Sequence, residues 1–202
     1  MGNLGLTHIT YAPDYTSETH PGGPATFTND QWIDVFYKRY SFWVLQRVQS
    51  LITDPNAGFA ILLMLYPYFQ MFSRHINGRR GDDFEEFAQG IYSVFESELK
   101  GHNPTVCRSV AKWLYAHMRC ELAHGNLTGK GVALSDDGTP HIWWDVDNNG
   151  LVNAVGVNPR KWFERICDHF ENYRNRLLDP TNSKDRTNFL KYTKRQYRKK
   201  RS

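Results

Sequence analysis

At 202 residues, with 40% hydrophobic and 14% aromatic side chains, the chain can bury one sizeable core, and a disordered polyelectrolyte is excluded. Three cysteines, Cys107, Cys120 and Cys167, form no CxxC pair and fall on apolar-periodic stretches, so reduced thiols and a cytoplasmic setting are expected. The net charge of +4 is divided: residues 180–202 hold nine Lys/Arg against one Asp, a net of +8, and the remainder carries −4.

The opening MGNLGLTHIT has no basic region followed by an apolar run, so no signal peptide is expected. Residues 1–27 contain Pro13, Pro21, Gly22, Gly23 and Pro24 without a period, which predicts an irregular arm. Thr28-Asn29-Asp30-Gln31 has the form of a capping box and opens a helical domain expected over 28–179. Its first helix carries Trp32, Val35, Phe36, Phe42, Leu45, Val48, Leu51 and Ile52 at helical spacing, and Asp54-Pro55-Asn56 breaks it.

The run Ala57–Phe72 is the most apolar, but its 16 residues include Tyr66, Pro67, Tyr68 and Gln70. A membrane span needs about 20 apolar residues. The run therefore predicts a buried helix, kinked at Pro67 and ending near Arg74, and no membrane partner. After NGRRGDD a third helix is predicted over Asp83–Leu99, with acids in its first turns. GHNP punctuates, and a fourth helix is predicted from Thr105 to His124, with Gly125 at C′.

The period then changes. Residues 129–158 read as short strands, VALS, HIWWDV and LVNAVGV, separated by DDG and DNNG turns, which predicts a β-hairpin or small meander. Pro159 suits the first position of a last helix, Arg160–Leu178, carrying Trp162, Phe163, Ile166, Cys167, Phe170 and Tyr173. The fold class expected is mainly α: a bundle of about five helices with a small β insertion before the last. Residues 180–202 are expected to form a basic tail of few apolar residues, its Lys191, Lys194, Arg195, Arg198, Lys199, Lys200 and Arg201 available to RNA phosphates.

Asp145-Val-Asp147-Asn148-Asn149-Gly150 imitates the first half of an EF-hand loop, but position 12 is Gly156 and strands flank it, so it reads as a hairpin turn. Glu121-Leu-Ala-His124 has the E-x-x-H spacing of di-iron bundles, with no second copy. His117, Glu121 and His124 share one ideal helical face, leaving a mononuclear site as the weakest alternative; no metal or cofactor is expected. No Gly-rich elbow surrounds a serine, and GKG at 129–131 lacks P-loop spacing.

There remain Arg119 and His124. On an ideal α-helix a five-residue step sets them about 140° apart. One straight helix therefore arranges them poorly around one small group, whereas a second copy across a two-fold axis supplies the missing half. Arginine is always charged and fork-shaped, as a phosphate requires, and a histidine at a helix C-terminus is favoured in its protonated form.

The stretch R-C-E-L-A-H-G, Arg119 to Gly125, at the end of a late helix resembles the R-x4-H motif of HEPN (higher eukaryotes and prokaryotes nucleotide-binding) domains. In architecture the resemblance covers Thr28 to Leu178; in motif it covers residues 119–125. Many members are metal-independent endoribonucleases whose two motifs face each other across a dimer. The resemblance implies His124 as acid–base residue, Arg119 as phosphate anchor, and cleavage of RNA by 2′-hydroxyl attack. Members often serve as toxins or phage-defence effectors under a regulatory protein partner. The residue after the arginine is commonly polar in active members; here it is Cys120, so Glu121 or His117 would supply that hydrogen bond. Asn126 stands where toxins silenced by nucleotidylation carry a tyrosine. A non-catalytic HEPN-like RNA- or protein-binding module is the alternative that Cys120 favours.

Overall fold

The computed structural model describes residues 10–120, 131–135, 138 and 140–199. Thr28 opens the first helix as a reciprocal cap: its Oγ1 accepts from the Gln31 amide at 3.2 Å, and the Gln31 side chain accepts from the Thr28 amide at 2.8 Å. One helical rod follows, made of α1 (Asn29–Tyr40), a π-helical turn (Ser41–Leu45) and α2 (Gln46–Leu51). The apolar run is divided at Tyr66 into α3 (Gly58–Leu65) and α4 (Pro67–Asn77), because Pro67 has no N–H to continue the first helix. Gly78 ends α4 in the left-handed region at φ 65°, three residues beyond the expected end at Arg74.

Asp82 caps α5 (Asp83–Val94), and a break at Phe95 separates the short α6 (Glu96–Leu99) from it, where one helix was expected. Asn103 caps α7 (Pro104–Trp113), which passes into a second π-helical turn, Leu114–Cys120. Gly125, the expected C′ residue, lies outside the described residues.

Strands β3 (Val132–Leu134), β4 (Ile142–Val146) and β5 (Val152–Val157) form one sheet. Strands β4 and β5 pair antiparallel, as the DNNG turn predicts: Asp147 Oδ1 accepts from the Asn149 and Leu151 amides at 2.8 and 2.9 Å, and Gly150 takes φ 75°. The calcium-like residues are thus consumed in a turn. Strand β3 pairs parallel with β5, so the order is β3-β5-β4 and a simple meander is replaced by a hairpin with a crossover strand. Asn158 caps α8 (Pro159–Leu178), the longest helix of the described chain, and Trp162 donates its indole N–H to the His141 carbonyl at 2.7 Å.

The core is aromatic. Tyr68, Phe69 and Phe72 of α4 meet Phe87 of α5 and Trp162, Phe170 and Tyr173 of α8, all 2% exposed or less. Each contributes about 1.5–3 kcal/mol of burial before the cost of ordering it. Helices α4 and α5 approach so closely that a Cβ on Gly90 would stand 2.4 Å from the Phe69 carbonyl oxygen.

Both ends of the described chain differ from expectation. The arm expected to be irregular contains strands β1 (Thr10–Ala12) and β2 (Tyr15–Thr16), joined through Asp14 at φ 67°, and a 3-10 turn at Gly23–Thr26. Ala12, Tyr15 and Phe27 join the core from it. The segment expected to be an apolar-poor tail forms α9 (Ser183–Lys199), docked on α4, α8 and α1. Phe189 and Thr193 repeat at helical spacing and are 0% and 8% exposed, which anchors the helix that the positive charge had suggested was free. Arg186 bonds Asp30 at 2.7 Å, and Arg176 pairs with Asp185. Among the described residues no helix is long and apolar enough to cross a membrane.

Candidate functional site

The π-helical turn that carries Arg119 is fixed from below. Leu114 and Met118 are fully buried, and Tyr115 packs edge-on against Phe84 and Phe87 with ring centroids 5.6 and 5.5 Å apart. A π turn does not advance by 100° per residue, so the ideal-helix phase that separated Arg119 from His124 does not hold through Leu114–Cys120. Of the face expected for His117, Glu121 and His124, only His117 lies within the described residues.

Arg119 is half-buried. One guanidinium nitrogen lies 3.5 Å from Gln70 Oε1, the other 3.9 Å from the Cys120 sulfur, and the group stands 5.3 Å from the Tyr115 ring centroid. Gln70 is a rigid support: it is 7% exposed, and its amide donates to the Asp83 carbonyl at 2.9 Å. The nearby carboxylates are already engaged. Arg74 takes Glu86 at 2.6 Å and Asp83 at 2.8 Å, and Arg80 reaches Asp83 at 3.4 Å. Among the described residues Arg119 has no carboxylate partner. Burial raises the Tyr115 phenol above its ordinary pKa, with Arg119 opposing that shift, so Tyr115 stays neutral beside the cation.

His117 lies against Trp113 with ring centroids 4.4 Å apart. Cys120 is a half-buried free thiol. Glu121, His124 and Asn126 lie outside the described residues, so the distance from Arg119 to His124 is not part of the described geometry. Among the described residues no three His, Cys, Asp or Glu side chains cluster as a metal site would require.

The basic residues of α9 divide by face. Lys191 and Arg195 are exposed, whereas Lys194 donates to Asn29 Oδ1 at 2.9 Å and helps dock the helix. The side chains of Arg198 and Lys199, together with Lys200 and Arg201, lie outside the described residues.

Sequence reasoning missed a buried relay, since its members are far apart in the chain. His169 Nδ1 stands 2.7 Å from the Tyr68 hydroxyl, and its Nε2 stands 3.1 Å from the Ser93 hydroxyl. The order Ser–His–Tyr imitates a nucleophile with its base, and burial holds His169 down to about 4, neutral at pH 7. With the phenol of the fully buried Tyr68 donating to Nδ1, the neutral ring carries its proton on Nε2 and donates to Ser93, and in that tautomer it cannot take a proton from the serine. The relay ties α4, α5 and α8 together.

The site is thus a charged, supported Arg119 at the last described residues of a helix, flanked by an aromatic ring and a thiol. No protein-family model, no curated protein and no solved structure matches the chain.

Proposed function

We propose that the chain is a metal-independent endoribonuclease of HEPN type, acting in the cytoplasm as a homodimer, in the toxin or phage-defence role common to that family. Arg119 holds the scissile phosphate, and His124 moves the proton. The 2′-hydroxyl attacks the adjacent phosphorus, the bond to the 5′-oxygen breaks, and the products are a 2′,3′-cyclic phosphate and a free 5′-hydroxyl. The observation that carries this reading is the state of Arg119: a guanidinium supported by Gln70 and Tyr115, with the neighbouring Asp83 and Glu86 committed to Arg74. Lys191 and Arg195 add positive charge for the RNA backbone.

The test is total RNA incubated with the full chain in EDTA, wild type beside Arg119→Met and His124→Ala. Cleavage is expected to survive chelation and to fall about 100-fold or more in each variant, the scale of one acid–base group or one oxyanion-type contact. Loss of cleavage in EDTA with rescue by Mn²⁺ or Zn²⁺ overturns the metal-independent reading. A monomer in solution that cleaves at full rate overturns the composite site.

A second reading, a non-catalytic RNA- or protein-binding module, is favoured by the position of Cys120. Its sulfur, a weak acceptor, occupies the place beside Arg119 where active members carry a stronger hydrogen-bonding group. RNA binding that depends on Arg119 without any cleavage product supports this reading over the first.

A further inference from the structure

Far from Arg119 in sequence, α1, the π-helical turn after it, α4 and α9 enclose a cleft of about 330 Å³. That volume lies within the range of small-molecule sites, roughly 300–1,000 Å³. Phe36, Trp43, Met71, Tyr192 and Tyr197 give it apolar and aromatic walls, and among the described residues no Asp or Glu lines it. The π turn contributes the mouth: Trp43 is 42% exposed there.

Besides the tyrosines, four polar side chains interrupt the apolar walls: Arg39, His75, Thr193 and Gln196. Arg39 bonds the Tyr197 hydroxyl and lies 5.1 Å from the Trp43 ring and 5.6 Å from the Tyr197 ring, with no carboxylate partner among the described residues. His75 and Thr193 are 5% and 8% exposed, and His75 Nδ1 and Thr193 Oγ1 have no hydrogen-bond partner among the described residues. Buried polar atoms of that kind cost free energy until something bonds to them. Burial holds His75 down to about 3, so its ring is neutral, and Arg39 is the one formal charge among the described lining residues.

We propose that this cleft is a binding site for a small aromatic carboxylate bearing a second polar group. The guanidinium of Arg39 accepts the carboxylate in a two-pronged hydrogen bond, for which its planar fork is shaped. Phe36, Met71 and the α9 tyrosines cover the aromatic body, and Thr193 and His75 bond the second polar group. A cationic ligand is disfavoured by Arg39, and a purely aliphatic one leaves the buried Thr193 and His75 atoms unbonded. The site bridges α1 and α9, so a bound acid also fastens α9 to the bundle.

The test is calorimetric titration of the full chain at pH 7 with 6-hydroxy-2-naphthoate and its neutral amide. One saturable site is expected, with the acid about tenfold or more tighter than the amide, as for one charge-assisted hydrogen bond. Arg39→Met is expected to abolish that preference, with the melting curve checked for an intact fold, while Arg108→Met, a surface arginine paired with Glu85, leaves it unchanged. The acid-to-amide ratio in the wild type decides the matter even where Arg39→Met fails to fold. Equal affinities, no binding at millimolar ligand, or an unaltered preference in a folded Arg39→Met chain overturns the proposal. Tighter binding of uridine than of the acid also overturns it, in favour of a base-stacking surface.

Discussion

Of the two π-helical turns, Ser41–Leu45 buries no side chain fully, its Val44 and Leu45 packing half-buried against the core, whereas Leu114–Cys120 drives Leu114 and Met118 into it. Each inserts extra backbone into a helix and rotates the residues beyond it. Where the turn has core anchors, the rotation is fixed, and Arg119 beside Met118 acquires a defined partner in Gln70. Where only the half-buried Val44 and Leu45 hold it, the turn leaves Phe42 and Trp43 40% and 42% exposed. The same backbone irregularity builds a rigid charged support in one place and the mouth of an apolar cleft in the other.

Substitutions can separate these cases, and the largest effect is expected behind the first turn. Phe189 of α9 is fully buried, with its ring 5.1 Å from Phe36 and 4.9 Å from His75. Phe189→Ala should cost about 3–5 kcal/mol in urea unfolding, the range for emptying a large aromatic site. A cost below about 1 kcal/mol would mean that α9 is not part of the cooperative unit. Met118→Ala, beneath the second turn, should cost about 2–5 kcal/mol and loosen Arg119 with it. If Met118→Ala is neutral, the second turn is no better anchored than the first, and the contrast fails.

Acid sharpens the picture by a smaller step. His75 and His169 are held down to about 3 and about 4 by burial, below the 6.5 of an exposed imidazole. Below pH 6.5 the unfolded chain therefore takes up protons that the folded chain refuses. Stability is present in full above that pH and is lost as pH falls toward 4, at up to about 1.4 kcal/mol per pH unit for each histidine. His75→Phe should flatten the slope between pH 6 and pH 4.5 in urea titrations; an unchanged slope refutes the assignment. The smallest effect is expected at Trp43. Exposed at the cleft mouth, Trp43→Ala should alter stability by no more than about 0.5 kcal/mol while weakening any aromatic ligand in the cleft.

Features written in local chemistry were legible in the sequence. The Thr28–Gln31 box, the break at Pro67, the DNNG hairpin and the Pro159 start each depend on residues within a few positions of one another. The π turns were not, because no residue type demands them; they arise where two packing registers must be reconciled. Strand β3 joins β5 in parallel across more than a hairpin, a long-range choice that alternation cannot reveal. Helix α9 was misjudged for a different reason. Its charge outweighs Phe189 and Thr193 in any average, yet two buried positions four apart are enough to dock it. Arg119 was legible as a candidate, while Gln70 and Tyr115, which support it, were not marked. His169 lies 76 positions from Ser93 and 101 from Tyr68, and the three leave no local signature.

The Gly78 cap of α4 carries one more consequence. Asn188 of α9 donates to the Ile76 carbonyl at 2.6 Å, and an added Cβ on Gly78 would meet Asn188 at 3.0 Å. A helix in the middle of the chain is thus finished by a side chain 112 positions later. Closing so large a loop is an entropic cost met before the contact rewards it, so the last turn of α4 belongs to the late stage of folding. During synthesis the end of α4 waits for residues not yet made: a nascent chain that has not reached Asn188 lacks the side chain that bonds the Ile76 carbonyl.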